Sequence, residues 1–148
     1  LDDIVAVYDF GGGTFDVSVI EKDSSEHYIS VDKDGKYLYG ASSSEDTINV
    51  VDIATGDLVT SIKVGEEPYG SKLSPDGTLI LTGEKVSNQV SVIDTATYQV
   101  LRVITGLNEP RQAISYSATP GQAYVLNADL SVTIIDYANG QIVANIPE

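Results

Sequence analysis

A repeat with a period of 42 residues constrains this chain more than any other feature. Val50-Val51-Asp52-Ile53-Ala54-Thr55 returns as Val92-Ile93-Asp94-Thr95-Ala96-Thr97, and more loosely as Ile134-Ile135-Asp136-Tyr137-Ala138-Asn139. Asp52, Asp94 and Asp136 are thus each 42 apart. Segments 27–68 and 69–110 share nine identical positions, among them Asp34/Asp76, Gly35/Gly77, Ile62/Ile104 and Pro68/Pro110. The third copy, 111–148, keeps the pattern with its glycine, Gly121, displaced by two residues and a compensating shortening before Ser131. A unit of this length cannot bury its apolar face alone, so the copies must stack on one another.

Each copy reads as four short strands. In the middle copy they are expected over 69–74, 78–84, 89–94 and 99–105. Ser74-Pro75-Asp76-Gly77 carries turn chemistry, since proline fixes φ and glycine accepts positive φ. Gln89 to Asp94 alternates and is rich in β-branched residues. At Asp94-Thr95-Ala96-Thr97 the aspartate can bond backbone amides ahead of it. Gly35, Gly77 and Gly121, with Asp52, Asp94 and Asp136, are therefore read as structural turn residues. No long segment of helical period competes. Four strands in about 40 residues is the period of a β-propeller blade. The expected fold is all-β: a hairpin segment at 1–26, then blades at 27–68, 69–110 and 111–148.

Glu67-Pro68-Tyr69-Gly70, Ser74-Pro75-Asp76-Gly77 and Val90-Ser91-Val92-Ile93-Asp94-Thr95-Ala96-Thr97 together resemble the YVTN-type propeller repeat of bacterial and archaeal surface proteins. The four-residue signature itself is replaced by Leu81-Thr82-Gly83-Glu84, and Tyr124-Val125-Leu126-Asn127 comes nearest to it. The resemblance spans about residues 27–148 and implies an envelope or extracellular setting.

Residues 4–21 differ. Ile4 to Glu21, with Gly11-Gly12-Gly13-Thr14 at their centre, resemble the phosphate-binding hairpin of DnaK-type heat-shock chaperone ATPases. That resemblance implies that Gly11, Gly12, Gly13 and Thr14 offer backbone and hydroxyl groups to nucleotide phosphates, with Asp9 near a metal-bound water. Backbone amides free of side chains can cradle phosphate oxygens. The residues also allow a plainer reading, a β-hairpin turned by its glycines. Asp16-Val17-Ser18-Val19-Ile20-Glu21 mirrors Gln89-Val90-Ser91-Val92-Ile93-Asp94, as the middle strand of a further blade would. Between Glu21 and Gly35 there is one strand too little for a complete repeat.

Net charge is −14, from 22 acidic and 8 basic residues, which repels phosphate backbones and argues against a nucleic-acid partner. The acidic start, Leu1-Asp2-Asp3, is unlike a secretory leader. No apolar run approaches the ~20 residues of a membrane span. The absence of cysteine excludes disulfides and thiolate metal sites, and one histidine, His27, excludes a two-imidazole centre. Asp32-Lys33-Asp34-Gly35 opens like a calcium loop but lacks the later ligands, and it aligns with a turn. Glu45/Asp46 and Glu66/Glu67 fall in loops and read as solvated. Tyr69, beside Pro68 and Gly70 at a blade entry, is a candidate for a binding rim. No serine has an identifiable base, no cofactor site is expected, and no metal site is expected.

The function expected is a non-catalytic binding or scaffolding module for a protein or cell-surface polymer. Nucleotide binding through Gly11–Thr14, or membership of a larger propeller enzyme, is the alternative. Three blades do not close a ring, which takes about four to eight. Self-association or a longer propeller chain is therefore expected, because strands such as 50–53 and 132–136 would otherwise lie exposed.

Overall fold

A computed structural model of the chain describes residues 4–9, 16–21 and 29–148. β1 (Ile4–Asp9) and β2 (Asp16–Glu21) form an antiparallel pair with Asp9 opposite Asp16. Three four-stranded antiparallel sheets follow, each a meander in chain order. The first holds β3 (Ile29–Val31), β4 (Tyr37–Ser42), β5 (Thr47–Asp52) and β6 (Leu58–Lys63). The second holds β7 (Lys72–Leu73), β8 (Leu79–Glu84), β9 (Gln89–Asp94) and β10 (Val100–Thr105). The third holds β11 (Pro110–Tyr116), β12 (Gln122–Asn127), β13 (Val132–Asp136) and β14 (Gln141–Ile146). The described residues contain no helix. The fold is all-β, three propeller blades preceded by a hairpin.

The blades stack face to face, and the second is covered on both sides. Ile80 and Ile93 point back to join Tyr39, Ile48, Val50 and Ile62 of the first blade. Leu81, Val90 and Val92 point forward to Ile114, Ala123, Val125 and Ile135 of the third. β8 and β9 are accordingly buried on both pleat faces, their polar residues Thr82, Glu84 and Ser91 included. The inner strands are also tied across blades. Ser71 donates to Tyr39 O at 2.9 Å, Ser30 donates to Ser71 O at 2.7 Å, and the Tyr116 hydroxyl donates to Lys72 O at 2.9 Å.

The outer strands are mostly exposed, each anchored through one buried isoleucine in β6 and β10, Ile62 and Ile104. Each carries one extra residue in its register: Val59, Leu101 and Val143, again 42 apart. Such bulges bend an edge and spoil it as a template for further pairing. The innermost strand of the second blade is shorter than the expected 69–74. Gly70, at φ 135°, breaks the strand, leaving Pro68 in an isolated bridge to Glu84 and Tyr69 donating its amide to Gly83 O.

The turns at one end of the blades are built by side chains. Asp52 accepts from the Ala54 and Thr55 amides, Asp94 from Ala96 and Asp136 from Asn139. Gly35, Gly77 and Gly121 have φ of 69°, 77° and 82°. Asp32, of the calcium-like run, instead accepts from the amides of Lys36 and Tyr37. Asp76 accepts from the Ser74 and Thr78 hydroxyls and the Thr78 amide. Those bonds, Ser74 first, hold its carboxyl down at about 2.

Asp94→Ala should lower stability by about 1 kcal/mol in urea unfolding, the scale of a lost local hydrogen bond. Asp76 has a folded pKa below its ordinary 3.8, so its contribution is present above that value and is lost as pH falls through about 2. Asp76→Asn should therefore flatten the acid limb of a melting-temperature profile between those two values, by an amount reduced by solvent screening.

Candidate functional site

Backbone strain separates the two ends of the blades. At the end just described, positive φ falls mainly on glycine. At the opposite end lie the β4–β5, β8–β9 and β12–β13 turns and the β6–β7 and β10–β11 connections. Here Asp46, Asn88 and Leu130 take φ of 57°, 55° and 65°, and Glu67 and Glu109 take 53° and 49°. Five of the six non-glycine residues with positive φ among the described residues are thus on this end. Such residues cost of order 1–3 kcal/mol each and persist only where their surroundings hold them, which is a recurring property of functional sites.

In the first two blades a staple holds the turn to the connection that follows it. Asp46 accepts the Glu67 amide at 3.0 Å through Oδ1, and its carbonyl accepts the Val64 amide at 3.0 Å. Asn88 accepts the Glu109 amide at 2.8 Å through Oδ1, and its carbonyl accepts the Leu107 amide at 3.0 Å. Each connection then grips the next blade. The Lys85 amide donates to Glu67 O and the Val86 amide to Glu66 O, as the Ala128 amide does to Asn108 O and Glu109 O. The result is a row of loops pinned to the turn behind and the turn ahead. The face is acidic, with Glu45, Asp46, Glu66, Glu67, Glu109 and Asp129 against Lys63 and Lys85. The ion pairs Lys63–Asp46 (3.6 Å) and Lys85–Glu67 (3.9 Å) are exposed and worth little.

Beneath this face each blade buries polar side chains at the end of its second strand: Ser42, Glu84 and Asn127. Asn127 is fully engaged. Its Nδ2 donates to Ser131 Oγ and Thr133 Oγ1, and its Oδ1 accepts the Asn108 amide at 3.4 Å. Glu84 is 0% exposed, and neither carboxyl oxygen completes a hydrogen bond. Burial pushes its pKa up to about 7, with Ser91, Gln89 and the Gly65 backbone beside it opposing the rise. Gly65 passes close there: a Cβ would come within 2.5 Å of Gln89 Nε2, so the Gln89 side chain would have to move to admit one. Asn49 Nδ2 is likewise buried without a partner.

The residues singled out from the sequence do not converge. Tyr69 is 36% exposed in the β6–β7 connection, at the entry to the innermost strand. Asp52, Asp94, Asp136, Gly35, Gly77 and Gly121 lie at the other end of the blades. Asp9 closes β1, while Gly11, Gly12, Gly13, Thr14 and His27 lie outside the described residues. No group of three or more His, Asp or Glu among the described residues is placed to hold a metal ion. Sequence reasoning took Glu45/Asp46 and Glu66/Glu67 for solvated pairs. The structure makes Asp46 a staple and Glu67 a strained hinge. The available signal was their spacing of 42 from Asn88 and Glu109.

The family described as Cytochrome D1 heme domain matches residues 16–146. A seven-bladed beta-propeller protein of Mycobacterium tuberculosis is 30% identical over 98 residues, covering 64% of this chain. The chain spans only 25% of that relative's length. Among solved structures, the hydrazine synthase of Kuenenia stuttgartiensis superposes with a TM-score of 0.72 at 23% identity. That match covers 94% of this chain and 39% of the other, and it speaks to the fold alone.

The staple is directly testable at Asn88. Asn88→Ala removes the acceptor for Glu109 and places a Cβ residue without local bonding at positive φ. It should cost about 1–3 kcal/mol by urea unfolding. Asn88→Gly loses the same acceptor but sheds the strain and should cost clearly less.

Proposed function

Since the chain belongs to the Cytochrome D1 heme domain family, whose members are β-propellers, we propose that it is part of a propeller that binds partners on its stapled, acidic loop face and performs no chemistry there. The observation that carries this reading is the concentration of strained, doubly pinned loops on one end of the blades. Propellers bind through such loops, held by a rigid scaffold. Tyr69, at the inner margin of that face, is the proposed rim residue.

The family's description names heme, and among the described residues tyrosine is the only residue type that could hold its iron. Heme iron is held by histidine, cysteine, methionine or tyrosine. The sequence has no cysteine or methionine, and its one histidine, His27, lies outside the described residues. The buried Tyr116 donates its hydroxyl to Lys72 O, and burial pushes its ionisation well up, which disfavours the tyrosinate a metal needs.

The partner class is a protein or a cell-surface polymer, in the envelope or extracellular setting that the YVTN-like repeats suggest. The working division is a hairpin at 1–26 and blades at 27–68, 69–110 and 111–148. Among the described residues no helix is long and apolar enough to cross a membrane. The third blade supports association with further blades. On its forward face Tyr124 is 40% exposed, and Leu126, Val132 and Ile134 are only partly covered. The same face of the second blade, at Leu81, Val90 and Val92, is fully buried by its neighbour. Exposure at 50–53 is limited to Ile53, because Val50 and Val51 are themselves buried.

A second reading rests on the antiparallel pairing of β1 with β2, in which Asp9 lies opposite Asp16. It assigns nucleotide phosphates to Gly11–Thr14. Calorimetry with magnesium–ATP decides it: absence of heat, unchanged by Gly12→Arg, removes that reading.

Two measurements test the main reading. Sedimentation at micromolar concentration should show an associated species, and deletion of residues 1–23 should lower the association state. A compact, heat-stable monomer would defeat the expectation. A screen of wall polymers and envelope proteins should return a ligand whose affinity drops roughly tenfold in Tyr69→Ala, the scale of a rim aromatic. Turnover without such binding would overturn it.

A further inference from the structure

The geometry points to Glu84 as a pH-responsive latch: its side chain, enclosed under the β6–β7 connection, keeps that connection seated when neutral and releases it when ionised. The latch deepens the binding reading by regulating the same face, but it stands on local geometry alone.

Glu84 sits where the second blade meets the connection. Its backbone bridges to Pro68, and the amide of the next residue, Lys85, is bonded to Glu67 O. The third blade shows what the position needs. There Asn127 donates to Ser131 and Thr133 and accepts from the Asn108 amide of the β10–β11 connection. One repeat earlier the corresponding residues are Gln89, Ser91 and Glu66, but the Glu66 amide donates to Ser87 Oγ at 2.7 Å, so the Glu84 carboxyl lacks the partner that Asn127 has. A neutral carboxylic acid, like a carboxamide, has one donor side and one acceptor side. A carboxylate accepts only, and ionisation places a charge in a site enclosed by Gly65, Gln89 and Ser91, which offset only part of the cost of burying it.

The surrounding charges do not relieve it. The connection contributes Glu66 and Glu67, the β4–β5 turn Glu45 and Asp46, β6 Lys63, the β8–β9 turn Lys85, and the start of the third blade, which packs on Gly83, Glu109 and Arg111. Both lysines already face carboxylates, Asp46 and Glu67. Acids outnumber bases around the site, so an ionised Glu84 gains water only if something moves. The connection is the element that can yield, because Glu67 holds a strained φ of 53° that only its bonds to Asp46 and Lys85 maintain. Letting go relieves that strain and shifts Tyr69, two residues on.

Titration fixes the direction. The group's folded value, about 7, lies above its ordinary 4.5. The seated state therefore holds the proton more tightly. Its advantage is complete below the ordinary value and is lost as pH rises through about 7.

Hydrogen exchange on the full chain tests this, corrected for intrinsic rates. Between pH 6 and 8, protection of the Glu67, Lys85 and Val86 amides should fall at least about tenfold, as for a local opening. The matching amides of Leu107, Glu109 and Ala128 serve as internal controls and should not change. Glu84→Gln, which cannot ionise, should abolish the pH response. A carboxyl NMR titration of the wild-type chain, independent of any variant folding, should place Glu84 near neutrality. Equal responses at both connections, a response that survives Glu84→Gln, or titration in the ordinary carboxylate range would each overturn the latch. Loss of the latch would leave partner binding at Tyr69 unaffected as a separate question.

Discussion

Everything in this fold depends on sheet-to-sheet burial through the second blade. Ile80 and Ile93 face one neighbour, and Leu81, Val90 and Val92 face the other, all at or near zero exposure. At about 25 cal/mol per Å² of apolar surface, these residues stabilise their neighbours as much as themselves. The outer strands, with little of their own to bury, are held through the inner ones. The stacking also sets the spacing between successive connections, and so builds the loop face as a regular row.

The repeat and its alternation made the all-β class and the four strands of each blade legible before any coordinates. Gln89 to Asp94 could be nothing but a strand once Thr47 to Asp52 matched it one period away. The innermost strands were less legible. Tyr69 to Ser74 has strand-like composition, but Gly70 takes a conformation that interrupts the ladder, and nothing in the neighbouring residues announces it. The bulges at Val59, Leu101 and Val143 were likewise hidden, since a bulged valine or leucine is written in the same letters as a paired one.

The candidate site was read least well, for a physical reason. Glu84 looks like any strand-end carboxylate in one dimension. It is enclosed by residues distant in the chain, among them the Gly65 backbone, 19 residues earlier, beside Ser91 and Gln89. Asp46 looked solvated because its partner, the Glu67 amide, is 21 residues away. Charge counting finds acidic residues and cannot tell a surface carboxylate from one that bonds a strained backbone.

The bulged outer strands have a consequence for life at high concentration. An approaching strand that begins to zip onto β6, β10 or β14 meets an extra residue partway and loses its phase. Any chance ladder between molecules therefore stays short and comes apart. The flanks are thus closed to strand addition, while the partly covered forward face of the third blade stays open to stacking.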